Sequence, residues 1–288
     1  MNDYLKHLAQ EAALGRMGRR EFLGRAAALG VTALGANTLL ASAAKAAGPQ
    51  AGGTLRVGLQ GGSTTDSMDP ALATNQVALS VIRLWGEPLV ELAEDGGLDG
   101  MVAESFEASA DAKTWTFKLR KGVTFHNGKP FGADDVMASL EMHIGEDSKS
   151  AAKPIVASIV ETKKISDHEL QFTLGAGNAD FPFLLSDYHI LMFPAGQIEE
   201  AISKGIGTGM YKVESFDPSV RALFSRVDGH YKDGSAGWFD SVEIIAINDA
   251  SARMTALMTN QVDVVNNVQL QSEPLIVANP QLAISEVT

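Results

Sequence analysis

The stretch "FDSVEIIAINDASARMTALMTNQVDVV", Phe239 to Val265, decides the fold class. Val242 to Ile247 is strongly apolar, which predicts a strand buried on both faces. A helix follows, with Asp249 or Ser251 near its cap and Met254, Leu257 and Met258 spaced to point inward. Asn260 stands where Gly or Asn takes the left-handed closing conformation. Val262-Asp263-Val264-Val265 then reads as a second strand. Strand, helix and strand in so short a span make a βαβ unit, so at least part of the fold is α/β.

Upstream lies "GIGTGMYKVESF", Gly205 to Phe216, whose alternate glycines resemble a phosphate-cradling loop. Such a loop needs a strand before it and a helix after it, so that helix N-terminal amides face the anion. Here the order is reversed. A helical stretch, "EEAISKG", precedes the glycines, and Tyr211 to Phe216 follows as an alternating strand. Met210 also occupies the place of the third glycine in G-x-G-x-x-G. A phosphate loop is excluded.

The segments before it carry their own signals. Gly52–Gln60 reads as a first strand, "GGSTTDSMDP" as a loop, and Thr74–Trp85 as a helix with Val77, Val81, Leu84 and Trp85 near one face. Trp115, Phe117 and Leu119 alternate with polar residues, as do Leu170, Phe172 and Leu174, predicting two half-buried strands. Asn127-Gly128 predicts a hairpin turn. Gly132 caps a helix from near Ala133, with Asp134 and Asp135 in the first turn, where they satisfy the dipole. Arg221–Val227 is a further strand.

Composition narrows the function. The chain has 288 residues, no cysteine and a formal net charge of −12, which removes disulfides, thiolate metal sites and cysteine nucleophiles. Residues 1–46 hold six of the 23 basic and three of the 35 acidic side chains, leaving 17 against 32 in the remainder. So acidic a body repels phosphate backbones, and no basic stripe interleaved with aromatics offsets it; no nucleic-acid partner is expected.

The front of the chain has a leader's three-part order. Arg19-Arg20 precedes Phe22-Leu23, an uncharged run from Ala26 to Ala44 follows, and Ala41-Ser42-Ala43 or Ala44-Lys45-Ala46 offers a cleavage site. The run is mostly Ala, Gly, Ser and Thr, a weak membrane anchor. Residues 1–46 resemble a twin-arginine signal peptide, with Met1 or Met17 as the start; the bland alternative is an amphipathic helix of the folded domain. Export to the periplasm follows, without a lipid anchor, since no cysteine is available to carry one.

No catalytic constellation is visible. G-x-S-x-G is absent, and the six histidines include no H-E-x-x-H or i, i+4 pair, so no metal site and no cofactor are expected. His126 reads as a surface residue of the hairpin, and Trp85 as a packing residue before a cleft aromatic.

Several blocks occur in a fixed order: "EPLV", "VAESFEAS", "WTFKLRKGVTFHNGKPFGADDV", "GTGMYKVESF" and the Phe239–Val265 stretch. In that order they resemble the family 5 extracellular solute-binding proteins of ABC importers, the dipeptide and oligopeptide-binding group. The resemblance covers nearly all of residues 52–268. Met210, Gly132 and Asn260 depart from its usual Pro, Thr and Gly, all at positions of backbone shape.

The resemblance implies a mixed α/β, class II periplasmic-binding-protein fold. It implies a discontinuous domain I (52–90 and 200–270), an inserted domain II (91–199), and a crossover from 271–288 toward a second lobe that the chain, ending at Thr288, lacks. The implied function is capture of a peptide or similar small solute by a monomer, and delivery to the ABC permease subunits of the inner membrane. Truncation is expected to impair it: if a whole protein binds at about 1 μM, half its interaction energy leaves a millimolar site. The implied ligand-binding residues are Ser63, Thr64, Thr65, Asp66, Ser67, Trp85, Asn266 and Asn267, the loop 63–67 being otherwise an ordinary helix-capping turn. The competing expectations are a secreted α/β hydrolase-like enzyme and a non-functional remnant of a binding protein.

Overall fold

The computed structural model describes residues 3–93, 95–279 and 281–285. Two of the endpoints named above, Met1 and Thr288, lie outside them, as does the side chain of Lys45 in the Ala44-Lys45-Ala46 site. The chain divides into two compact units, one of Met1–Gly53 with Asn267–Thr288, the other Thr54–Asn266.

The first unit opens with α1 (Asp3–Ala13), α2 (Arg19–Ala28) and α3 (Ala33–Ala47). Leu5, Leu8, Phe22 and Ala26 bury one another in a small core. Thr32 caps α3 by accepting from the Gly35 N–H, and the Arg19 guanidinium donates to Asn37 Oδ1 at 3.0 Å. The uncharged run from Ala26 is therefore broken between α2 and α3. Among the described residues no helix is long and apolar enough to cross a membrane.

The second unit begins with β1 (Thr54–Leu59), a short 3₁₀ turn at Pro70–Leu72 and α4 (Gln76–Trp85). Next come β2 (Val90–Leu92), β3 (Leu98–Gly100), β4 (Ala103–Ala108), β5 (Thr114–Leu119), α5 (Ala133–Ile144) and α6 (Lys153–Val156). They are followed by β6 (Ile159–Ser166), β7 (Glu169–Leu174), α7 (Phe181–Leu184) and α8 (Ile198–Lys204). The unit closes with β8 (Tyr211–Asp217), β9 (Arg221–Arg226), β10 (Ser241–Ala246), α9 (Ala250–Met258) and β11 (Val264–Val265). Past it, α10 (Glu273–Ala278) belongs to the first unit.

One sheet has the order β11-β1-β10-β9-β8. β1 is parallel to both β10 and β11, and β8, β9 and β10 are joined antiparallel. The βαβ unit is present, but its strands are not neighbours, because β1 lies between them. The Arg56 guanidinium on β1 grips the Asp263 carboxylate with bonds of 2.8 and 3.0 Å, pinning β1 beside β11. A second, antiparallel sheet runs β4-β5-β7-β6, and β2 pairs with β3.

Two apolar cores share this unit. Trp115, Phe117 and Phe172 pack behind the antiparallel sheet, as their alternation predicts, joined by Phe181 of α7. Val81, Trp85, Phe193, Phe224 and Ile244 fill the other, beneath the mixed sheet. Both cores lie within the one compact unit Thr54–Asn266.

Two expectations need correction. β10 is not buried on both faces: Val242 and Ile244 are, while Ile245 and Ile247 remain half-exposed. Met258 is 40% exposed, because the inward face of α9 is set by Arg253, Ala256 and Leu257. Adjacent helical residues point about 100° apart, so Leu257 and Met258 cannot both face the sheet. Asn260 does take the left-handed conformation, φ 58°.

Each glycine of Gly205–Gly209 has a steric reason. Gly205 ends α8 left-handed at φ 66°. A Cβ on Gly207 would lie 2.1 Å from Trp85 O, and one on Gly209 2.5 Å from Leu84 O. The loop crosses α4 backbone to backbone, with the Gly209 N–H donating to Trp85 O at 2.9 Å.

His143 of α5 is buried, with one ring nitrogen 2.6 Å from Ser150 Oγ. Burial, aided by the neighbouring His189, lowers its pKa from 6.5 to about 4. The unfolded chain therefore takes up a proton near pH 6.5 that the folded chain refuses until about pH 4. Stability is unaffected above that window, falls as pH drops through it by about 3 kcal/mol, and levels off below. Urea unfolding of His143→Leu and the parent between pH 7 and 4 is expected to show this added loss in the parent alone.

Candidate functional site

Three parallel strands, β11, β1 and β10, present their carboxyl ends on one edge. In open α/β sheets ligands bind at such an edge, because the loops leaving it converge and carry free polar groups. Here the edge holds the loop Gln60–Ser67 after β1, Asn248 and the α9 N-terminus after β10, and Asn266 after β11.

The loop is tied from three sides. Asn248 faces it with both ends of its side-chain amide: Oδ1 accepts from the Gly61 N–H and Nδ2 donates to Gly62 O, each at 2.9 Å. Asn266 Oδ1 accepts from the Gln60 N–H, also at 2.9 Å. A Cβ on Gly62 would lie 2.5 Å from the Ala246 Cβ, so only glycine lets the chain pass this close to β10. Further on, Asp66 accepts from the Ser63 N–H at 2.8 Å and from the Asn75 side chain, while Asn75 caps α4 through the Ala78 N–H. Ser63 Oγ lies 2.9 Å from Thr65 Oγ1. Asp69, its pKa raised by burial, holds the 3₁₀ turn that follows.

Among the residues named from sequence, Ser63, Thr64, Thr65, Asp66, Ser67 and Asn266 thus come to one edge. Asp66 is committed to the turn, which matches the capping alternative for that residue. Trp85 does not join them: it is fully buried and packs on Phe193 at 5.9 Å, inside the core. Its ring fills the space beneath the mixed sheet, where a solute does not reach. Asn267, left-handed at φ 49°, belongs to the other compact unit.

His126 also departs from expectation. It is half-buried rather than exposed: its ring lies against the Gly205–Gly209 loop, Nε2 2.7 Å from Gly209 O and Nδ1 3.3 Å from Gly205 O. Burial lowers its pKa, favouring the neutral ring. The turn beside it does form, but only Gly128 adopts positive φ, 84°.

A groove of about 620 Å³ lies against this ring, between the 121–128 hairpin and residues 208–212 and 226–231. Two of its cations are already matched: Arg226 pairs with Asp233 at 2.6 Å and Lys212 with Glu214 at 3.4 Å. Neither carries a charge in want of an anion. Among the described residues no cluster of His, Asp and Glu could hold a metal ion.

Sequence reasoning missed Asn248 and Arg253. The second left a trace, since a cation in the first turn of a helix opposes the dipole.

The mixed α/β fold, with its parallel strands opening onto one polar edge, is that of the class II periplasmic binding proteins. The binding protein AgaA of A. tumefaciens, solved in complex with agropinic acid, superposes with a TM-score of 0.73 at 25% identity, over 79% of this chain and 46% of that one. Residues 97–288 match the model of the bacterial extracellular solute-binding proteins, family 5 (middle region), and the chain belongs to that family. The dipeptide-binding protein of Escherichia coli is 30% identical over 194 residues, covering 57% of this chain and 35% of its own length. The glutathione-binding protein GsiB of Pectobacterium atrosepticum is 25% identical over 227 residues, or 77% of this chain and 44% of its own. The chain thus spans half or less of each of these proteins. All three are named as binding proteins.

Proposed function

We propose that this chain is the solute-capturing component of an ABC importer, taking a peptide or similar small solute at the carboxyl edge of β11, β1 and β10 without chemical turnover. The observation that supports it most is the convergence on one edge of the Ser63–Ser67 loop and Asn266, separated by some 200 residues of chain yet joined through Gln60 by one hydrogen bond. A loop held by side chains on neighbouring strands is pre-organised, and pre-organisation spares a binding site the entropy of ordering itself. In the same reading 52–90 with 200–270 form domain I around the mixed sheet, and 91–199 form an inserted domain II around the antiparallel one. The two apolar cores support that division. Residues 1–46 direct the protein through the twin-arginine route to the periplasm, where it acts as a monomer and delivers its solute to the permease.

Titration of the isotopically labelled chain with a dipeptide, Met-Leu, tests the site. Millimolar, saturable shifts of the Ser63–Ser67 and Asn266 amides are the expected result, the energy of about −4 kcal/mol being what one face of a micromolar site retains. Shifts confined to the groove beside His126, no shifts, or hydrolysis of the dipeptide would each overturn the reading.

A further inference from the structure

Arg253 is 2% exposed, yet it sits in the first turn of α9, where its charge opposes the helix dipole. The helix gains nothing from a cation there. What the guanidinium does reach is backbone: Nη1 donates to Ile247 O at 2.8 Å and Asn248 O at 3.2 Å, and Nε donates to Asn266 O at 3.1 Å. These carbonyls lie just past the ends of β10 and β11, where the ladder no longer supplies partners. The two segments they belong to carry the side chains that hold the Gln60–Gly62 loop.

We propose that Arg253 is the positioning residue of the candidate binding edge, clamping the exits of β10 and β11 so that Asn248 and Asn266 hold the loop after β1 in its binding shape. The inference rests on the reading of that edge as the solute site. With Ile247 and Asn248 fixed by their carbonyls, the Asn248 amide is delivered to Gly61 and Gly62 together. With Asn266 fixed by its carbonyl, its side chain is delivered to the Gln60 N–H. The Ile247 N–H, donating to Leu59 O at 2.7 Å, completes the frame. The fork geometry is essential: separate N–H groups of one planar cation must reach two chain segments at once, which a lysine ammonium on a single point cannot do.

The test is amide hydrogen exchange of the ligand-free chain and its variants Arg253→Lys, Arg253→Met and Asn248→Ala. All three are expected to exchange Gln60 or Gly61 at least tenfold faster while the amides of β9 keep their protection. Unchanged protection at Gln60 and Gly61 would overturn the role. So would a uniform rise across the unit in all variants, which marks a residue serving stability alone. Asn248→Ala releases the Gly61 amide directly and calibrates the change, while Arg253→Lys, which keeps the buried charge, decides the matter if Arg253→Met fails to fold. The Met-Leu titration separates the two readings: a parent chain with no dipeptide shifts sinks the solute site, whereas the exchange pattern decides the clamp either way.

Discussion

Gly207→Ala is expected to cost about 3 kcal/mol or more and to lower the melting temperature by roughly 6–12 °C. The added methyl carbon would sit 2.1 Å from the carbonyl oxygen of Trp85 and 2.9 Å from its ring. Overpacking is usually eased by rotating a side chain, but here the nearest atom is backbone inside α4, and the Gly86 Cα is only 3.0 Å away. Relief requires moving the loop off the helix. That lengthens the Gly209 N–H bond to Trp85 O and displaces Gly205 and Gly209 from the His126 ring. Near-ultraviolet circular dichroism of the tryptophans, followed through thermal unfolding, checks both effects. Retention of the parent melting temperature would mean that the loop does not lie on α4 as described. Gly196→Ala is the control: its Cβ meets nothing within 4 Å, but its φ of 79° makes the cost conformational, about 1 kcal/mol.

Asp135→Ala is expected to be comparably severe, about 3–5 kcal/mol, and for an electrostatic reason. Asp135 is almost fully buried at the start of α5. Its carboxylate accepts from the Gly132 N–H at 2.9 Å and the Ala195 N–H at 2.7 Å, and it pairs with the Lys129 ammonium. Removing it strands two backbone donors and leaves the lysine without its partner. Asp135→Asn keeps one acceptor oxygen and is expected to recover part of the loss. Asp134→Ala is the comparison: that residue is well exposed, pairs with Lys164 at the surface, and should change stability by less than about 1 kcal/mol. Urea unfolding of the three variants is the measurement. Equal losses for Asp134 and Asp135 would contradict the buried role.

The Asp134-Asp135 pair marks the limit of local pattern. Both carboxylates suit the helix dipole by position, and both lie in the first turn of α5. That one is a surface charge and the other a buried acceptor for a segment sixty residues away depends on what packs against the helix, which no local pattern records. The same holds for Asn248 and Arg253. Their positions beside a cap were legible, but their partners came from strands brought together only by the sheet order.

Local order was enough to exclude a phosphate loop, since helix-then-glycine-then-strand cannot aim helix amides at an anion. It also predicted the βαβ unit, the Asn260 cap and the inward faces of β5 and β7. These follow from propensity, capping and periodicity, which act over a few residues and are written into neighbouring side chains. Tertiary structure alone placed β1 between β10 and β11, tied the loop after β1 to Asn266 and set the His126 ring against the glycine loop. Periodicity states that a face will be covered, but not by what. The covering partner is chosen by long-range pairing such as Arg56 with Asp263, whose energy appears only when distant segments meet.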